Sequence, residues 1–425
     1  MKNKSKCIYS ILVVLFLIKG AYAQQTPLII RNAVIHVGNG EVIENGYFGF
    51  VNGKIFLCSA EQDAFYKNAT VIDGKGRHIY PGIICMSNVM GLNEIDAVRS
   101  TVDFKETGDM NPNVRALVAF NTDSKVMATA LANGILFTQP VPQGGIISGS
   151  SSLMRTSAWN WEDAAYRVDD GIHLNWPEAM SYSGWWAEQG STRVHYKEKE
   201  LEAIRIFFEQ AYQYYRLPVP ETFNARLDAM KGVFAGQKNV YVHAEGARSI
   251  IQAISFFKRY PGIKIVLADA TDAYLVKDLL KEQGIPVVIN NIHRLPRHNH
   301  SDVDQPYKTV AELVRSGILV AIGHNGSWET RNLMFNAGTT VAYGLTKEEA
   351  LQCITRNAAQ IIGVGKTLGT LEKDKDASFV ISSGDILDMR SSVIEAAYID
   401  GKEIDLDNQQ KQLYRKYSEK YGFKQ

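Results

Sequence analysis

The sequence predicts an α/β chain, a (β/α)8 TIM-like barrel with a small β-sandwich built from both chain ends. Three observations carry this. Residues 239–324 read NVYVHAEG, ARSIIQAISFFKRYPG, IKIVLADA, DAYLVKDLLKEQG, IPVVINN, PYKTVAELVRSG and ILVAIGH, short apolar runs alternating with amphipathic helical spacing. Such a βαβα series inside a stretch of about 285 residues suits eight strand–helix units, whose functional residues sit at the C-terminal strand ends. Hairpin-rich segments at the two ends of the chain are each too small to close a core, so they pair with each other. An open doubly wound sheet would give the same alternation, but no GxGxxG turn is present.

The elements follow in order. Lys2, Lys4 and Lys6 precede an apolar run from Ile8 to Ile18 and then Ala21-Tyr22-Ala23, the layout of a secretory signal peptide over residues 1–23 with cleavage after Ala23. The expected product is an exported protein, periplasmic or extracellular. The apolar run is too short for a stable membrane span, and Cys7 lies ahead of it, wrongly placed to carry a lipid after cleavage. Residues 24–80 hold LIIRNAVIHVG, YFGFVNGKIFLCS and ATVIDGKGRHIYPG, with Asn52-Gly53 as a hairpin turn. The same texture returns at 366–405 and completes the sandwich domain.

The barrel is expected over residues 81–365. Its rhythm breaks between 144 and 221, where GGIISGSSS is followed by Trp159, Trp161, Trp176, Trp185 and Trp186 and by a charged helix from near Lys197. This stretch is long for a barrel loop and is expected as an insertion over one barrel face. The tryptophans read as core and lid packing before they read as a sugar platform, with His173 among them. GGIISGSSS lacks the GK[ST] ending of a phosphate loop. Residues 406–425, rich in Lys, Gln and Tyr, form a solvated helix or a frayed end.

Lys and Arg number 46 against 45 Asp and Glu, so the net charge of +1 offers no basic field for nucleic acid. Three cysteines follow the cleavage point, Cys58, Cys85 and Cys353, each in an apolar run and none in a CxxC pair. They read as small apolar fillers rather than a disulfide framework.

Residues 81–91, PGIICMSNVMG, have the frame of a metal-binding first barrel strand. Together with VYVHAEG, VAIGHNGSWETRNLMFNAG, KEEALQCITRNAAQIIGV and LGTLEKDKDASFVI, they make the chain resemble the amidohydrolase superfamily, in its imidazolonepropionase-like branch. The resemblance spans nearly the whole mature chain. It implies a divalent metal centre held by a first-strand HxH pair, histidines from strands 5 and 6 and a strand-8 aspartate, which activates water against a C–N bond. Carried over by position, the HxH histidines become Ser87 and Val89, the strand-5 histidine is His243, the strand-6 position falls at Ala268 or Asp269, and the strand-8 aspartate becomes Asn325. One imidazole cannot hold zinc tightly, because the affinity comes from several ligands converging on one ion. Asn325 cannot take a proton from water.

The remaining candidates are weighed singly. His243 reads as a relict metal ligand, a general base paired with Glu245 two residues on, or a hydrogen-bonded histidine in a packed barrel mouth. His324 adjoins Asn325 and would meet His243 only if a one-residue bulge shifts the frame. The loop IHRLPRHNHSDVDQPY holds His293, His298, His300, Asp302 and Asp304, a replacement metal site or a solvated run. Cys85 has no adjacent base and reads as buried.

Two functions stay open. One is a divergent hydrolase of C–N bonds in a small molecule or short peptide, acting through a weakly held metal or through His243 with Glu245. The other is a catalytically inactive barrel that binds a ligand or a partner chain, a pseudoenzyme.

Overall fold

The computed structural model describes residues 26–61, 68–178, 180–185, 188–194, 197–298 and 301–423. The expected signal peptide, Trp186, His300 and the side chain of Trp185 lie outside these. Eight strands form a closed barrel: β1 Ile83–Asn88, β2 Ile135–Pro140, β3 Ile147–Arg155, β4 Ala165–Asn175, β5 Asn239–His243, β6 Lys264–Ala268, β7 Val287–Asn290 and β8 Val320–Gly323. They close in the order β5-β6-β7-β8-β1-β2-β3-β4. Strands buried on both faces read as continuous apolar runs, which is why VVIN and VAIG are buried throughout.

Two expectations need correcting here. β3 runs antiparallel to both β2 and β4, so the barrel is not wholly parallel. Only residues 141–146 join β2 to β3, and a link that short suits an antiparallel turn, whereas a parallel return needs a crossover of about a dozen residues. The segment 144–221 is therefore not an insertion over the barrel: its first part supplies β3 and β4. Among the described residues of this segment, the short helix Trp161–Ala164, the hairpin Met180–Trp185 with Glu188–Val194 and the helix Lys197–Arg216 stand outside the barrel strands. Gly149 in β3 sits at φ +140°, and a Cβ there would lie 2.6 Å from the Val114 carbonyl oxygen, so the register slip beside it requires glycine.

The outer helices bury one stripe each. Ile204, Phe207, Phe208 and Ala211 in Lys197–Arg216, and Ile250, Ala253, Ile254 and Phe257 in Ala247–Phe257, follow the i, i+3, i+4, i+7 spacing of an apolar face. Phe208 joins the two helices edge-on, its ring 5.4 Å from both Phe256 and Phe257. Gly284 ends Lys277–Gln283 in the left-handed conformation.

The chain ends meet as the sequence leads one to expect, but as one continuous sheet rather than two. Its order is Lys402–Ile404, Ile394–Ile399, Phe379–Ser382, His78–Pro81, Leu28–His36, Val42–Val51 and Lys54–Ser59, with Thr70–Asp73 also pairing to Leu28–His36. The sheet curls so that Phe48 and Phe50 of one half pack on Phe379 and Tyr398 of the other, at 4.7 Å and 5.4 Å. Its strands share one ladder because His78–Pro81 bonds to a strand from each end of the chain. The tail forms the helix Gln409–Tyr421, capped by the Asn408 side chain. Among the described residues no helix is long and apolar enough to cross a membrane.

Cys85 and Cys353 are fully buried and Cys58 is partly so. Burial pushes each thiol up to about 12, so none is a thiolate near neutrality.

Candidate functional site

The C-terminal strand ends converge on a polar network in the barrel mouth. His243 closes β5, and Asp269 follows β6 at φ +56°, a left-handed turn that aspartate tolerates and that brings its carboxylate back over the barrel. His243 Nδ1 lies 2.6 Å from Asp269 Oδ2, and His243 Nε2 lies 2.9 Å from His173 Nδ1 on β4. Asn290, closing β7, donates through Nδ2 to Asp269 Oδ1 at 2.7 Å and to Ser87 Oγ at 3.2 Å.

The proton inventory follows from Asp269. Burial alone would raise its pKa, but the hydrogen bond and charge of His243 and the Asn290 N–H outweigh it and hold the carboxyl below its ordinary value. An ionised Asp269 accepts from His243 Nδ1–H. His243 Nε2 and His173 Nδ1 share one hydrogen bond, and His173 Nε2 is buried without a partner. His173 is held neutral: burial, and then the nearby His243, drive its pKa well below the ordinary 6.5. Its ring stacks on Tyr241 of β5, centroids 4.7 Å apart and planes 8° from parallel.

A second network lies deeper. Asp170 on β4 is fully buried and accepts from Gln139 Nε2 at 2.7 Å, Ser151 Oγ at 2.8 Å and the Tyr241 hydroxyl at 2.7 Å. Burial raises its pKa and the three donors work against that rise. Gln139 Oε1 in turn accepts from the Ser87 backbone N–H at 3.2 Å, which joins the two layers at β1.

The candidate residues separate into three groups. Ser87, Asp269 and His243 meet in the mouth network. Asn325 and Glu245 line the same cavity, about 170 Å³, together with Asn290, Asn291 and Arg294. Glu245 does not bond to His243, whose carboxylate partner is Asp269. Its Oε2 instead accepts from Arg297 Nη1 at 2.7 Å, because the chain turns into the helix Ala247–Phe257 just after Glu245 and carries its side chain outward. The Glu245 side chain is 53% exposed; the partial desolvation of its carboxyl raises it, against the pull of Arg297 and with a push from the Asp269 charge.

His324 and His293 stand apart. His324 Nδ1 accepts from the Gly326 N–H at 3.1 Å, and burial lowers its pKa. No bond joins it to His243 among the described residues. His293 Nε2 lies 2.7 Å from Thr339 Oγ1, beside a separate groove lined by Phe335 and Leu387. The other described candidates of that loop are tied locally. His298 meets Asp272 at 3.0 Å, and Lys308 holds both Asp302 and Asp304. Among the described residues no group of three or more His, Cys, Asp or Glu side chains is arranged to hold a metal. At the two first-strand positions where the resemblance implies histidines, Ser87 bonds Asn290 and Val89 is buried.

Residues 143–404, more than half of the chain, match the Amidohydrolase family profile, and the chain belongs to that family. It is 32% identical over 149 residues to an imidazolonepropionase of Acinetobacter baumannii, covering 33% of this chain and 34% of that protein. It is 28% identical over 119 residues to the amidohydrolase tasK of Hapsidospora irregularis, covering 24% of this chain and 11% of the relative. The chain thus spans about a third or less of the length of these relatives. An amidohydrolase structure from Thermotoga maritima superposes with a TM-score of 0.75 at 23% identity, over 89% of this chain and 99% of its own. A Xaa-Pro dipeptidase with bound methionine superposes with a TM-score of 0.54 at 15% identity, over 89% of this chain and 100% of its own. These two likenesses concern the fold.

Several site residues escaped the sequence reading. Asp170, Gln139, Ser151 and Asn290 are polar side chains inside barrel strands, and Arg294 lies on the loop after β7. The only mark of the strand residues is polarity where the pattern wants an apolar residue, which gives no hint of which strand faces which, and Arg294 carries no mark beyond its charge.

Proposed function

We propose that this chain is a hydrolase-type amidohydrolase family member that handles a small C–N compound in the barrel mouth without the family's metal centre. The donor chemistry supports a degenerate metal site: serine, valine and asparagine stand at expected ligand positions, and both nitrogens of His243 face protein partners. The carrying observation is a split pair of carboxyls. Glu245 is raised and Asp269 is lowered, and both line one cavity. Groups whose environments push them apart in this way divide acid and base roles.

In this reading Glu245 is the proton carrier. Its Oε1 makes no hydrogen bond among the described residues. The carboxylate takes a proton from water as the oxygen attacks the carbonyl carbon, and returns it to the nitrogen as the C–N bond breaks. Asp269, kept ionised by His243 and Asn290, fixes the network around the reacting group. The test is turnover of a panel of acylated amino acids and short peptides by the wild type and Glu245→Gln. A loss of about 10²- to 10⁴-fold in kcat, with the wild-type acid limb displaced above 4.5, supports the role. Equal turnover by the two proteins rules it out.

A second reading, an inactive barrel that binds a ligand, is favoured by the closure of His243 between Asp269 and His173. It expects ligand binding with no turnover in either protein. Export after cleavage near Ala23 is proposed from the N-terminal pattern.

A further inference from the structure

Arg294 lies on the loop after β7 and lines the mouth cavity beside Asp269, Asn290 and Asn325. It is partly buried, its Nε is enclosed without a hydrogen-bond partner, and its guanidinium makes no hydrogen bond or ion pair among the described residues. An enclosed N–H without an acceptor is unusual, because it keeps the cost of the water it has lost.

The neighbouring charges do not relieve it. Arg297 is paired with Glu245 at 2.7 Å and lies 3.7 Å from Glu178. Asp269 is engaged by His243 and Asn290, and Asp272 by His298. Glu245 and Asp269 attract Arg294 from outside bonding distance, which keeps the group at the mouth and leaves its N–H fork for something else. Guanidinium stays protonated throughout the pH range and presents paired donors that match a carboxylate in one plane.

We propose that Arg294 is the recognition group for a carboxylate on a small ligand bound in the barrel mouth. This rests on the mouth being the ligand site, not on which group moves protons there. A planar monoanion is the fitting class: two carboxylates already flank the cavity, and they repel a phosphate dianion more strongly. The cavity, about 170 Å³, is smaller than the roughly 300 Å³ of sites for drug-sized molecules, so the ligand is of amino-acid or acylamino-acid size.

The test measures binding rather than turnover. Thermal shift and calorimetry are run on the full mature chain with a panel of N-acetyl amino acids, their neutral carboxamides and inorganic phosphate. At least one free acid is expected to bind, with its carboxamide about ten- to a hundredfold weaker and phosphate weaker than the acid. Arg294→Gln should weaken the acid by a similar factor and leave the carboxamide unchanged, and Arg294→Lys should lie between. Unliganded melting of each variant shows that it is folded. Glu245→Gln should bind the acid at least as tightly as wild type, so a failed catalytic reading and a failed Arg294 assignment give different results. The proposal is overturned if no acid in the panel shifts the wild type, if acid and carboxamide bind alike, if phosphate binds best, or if folded Arg294→Gln binds the acid as wild type does.

Discussion

Replacing His173 with phenylalanine tests the proton inventory of the mouth through its pH dependence. The wild-type ring is fully enclosed, stacked on Tyr241, and held neutral because burial drives its pKa well below 6.5. The unfolded chain has no such constraint and takes up a proton as pH falls through 6.5. The unfolded state therefore binds more protons than the native state in this window, and stability rises with pH and falls on acidification. One unit below the unfolded value the loss from one such histidine is RT ln 11, about 1.4 kcal/mol, against less than about 0.1 kcal/mol one unit above it. Phenylalanine keeps a ring for Tyr241 but removes the titrating group and leaves His243 Nε2 without its partner, so the variant is less stable at every pH. The gap between wild type and variant should nonetheless narrow by about 1.4 kcal/mol between about pH 7.5 and about pH 5.5. Urea unfolding of both proteins at the two pH values measures it, with the slope m unchanged. A gap that stays constant or widens on acidification would mean that His173 accepts a proton in the folded protein, and the assignment of a neutral, buried His173 would be wrong.

Other outcomes follow from the same geometry. Gly323→Ala places a Cβ 2.3 Å from Asn290 Oδ1 and 2.7 Å from the Met86 carbonyl oxygen, so the β8–β1 seam must open; a loss of about 1 to 3 kcal/mol in urea unfolding is expected, as for overpacked cores. Phe208→Ala empties the contact between the helices Lys197–Arg216 and Ala247–Phe257 and should cost about 3 to 5 kcal/mol, read as a lowered melting temperature with the mouth network unaffected.

The barrel was legible because its second half keeps a clean strand and helix period from Asn239 to Gly323. β3 and β4 were not, since they carry ISGSSS and VDDGIHLN, whose glycines, serines and aspartates read as loop. Ser151 is polar because it bonds Asp170 inside the barrel, and Ser148 because it bonds Asn175; only the closed strand order brings these partners together. The family frame named His243, Ser87 and Asn325 at strand ends and left the strand-6 position open between Ala268 and Asp269. The partner of His243 could not be read from it. Glu245 lies two residues away and suggested itself by periodicity, but Asp269 reaches His243 through a left-handed turn that no spacing rule anticipates. The two halves of the terminal sheet were visible as hairpins, whereas their fusion into one ladder depends on His78–Pro81 pairing with strands from both ends.

In the proposed function the mouth works without the family's metal. Elemental analysis of the mature protein, purified without a histidine tag and measured before and after chelation and zinc addition, addresses it most directly. Zinc, iron and manganese are expected well below one equivalent under every condition, with no difference between wild type and His243→Ala. About one equivalent of metal that survives purification and disappears with His243→Ala would contradict it and place a metal-activated water back in the mouth.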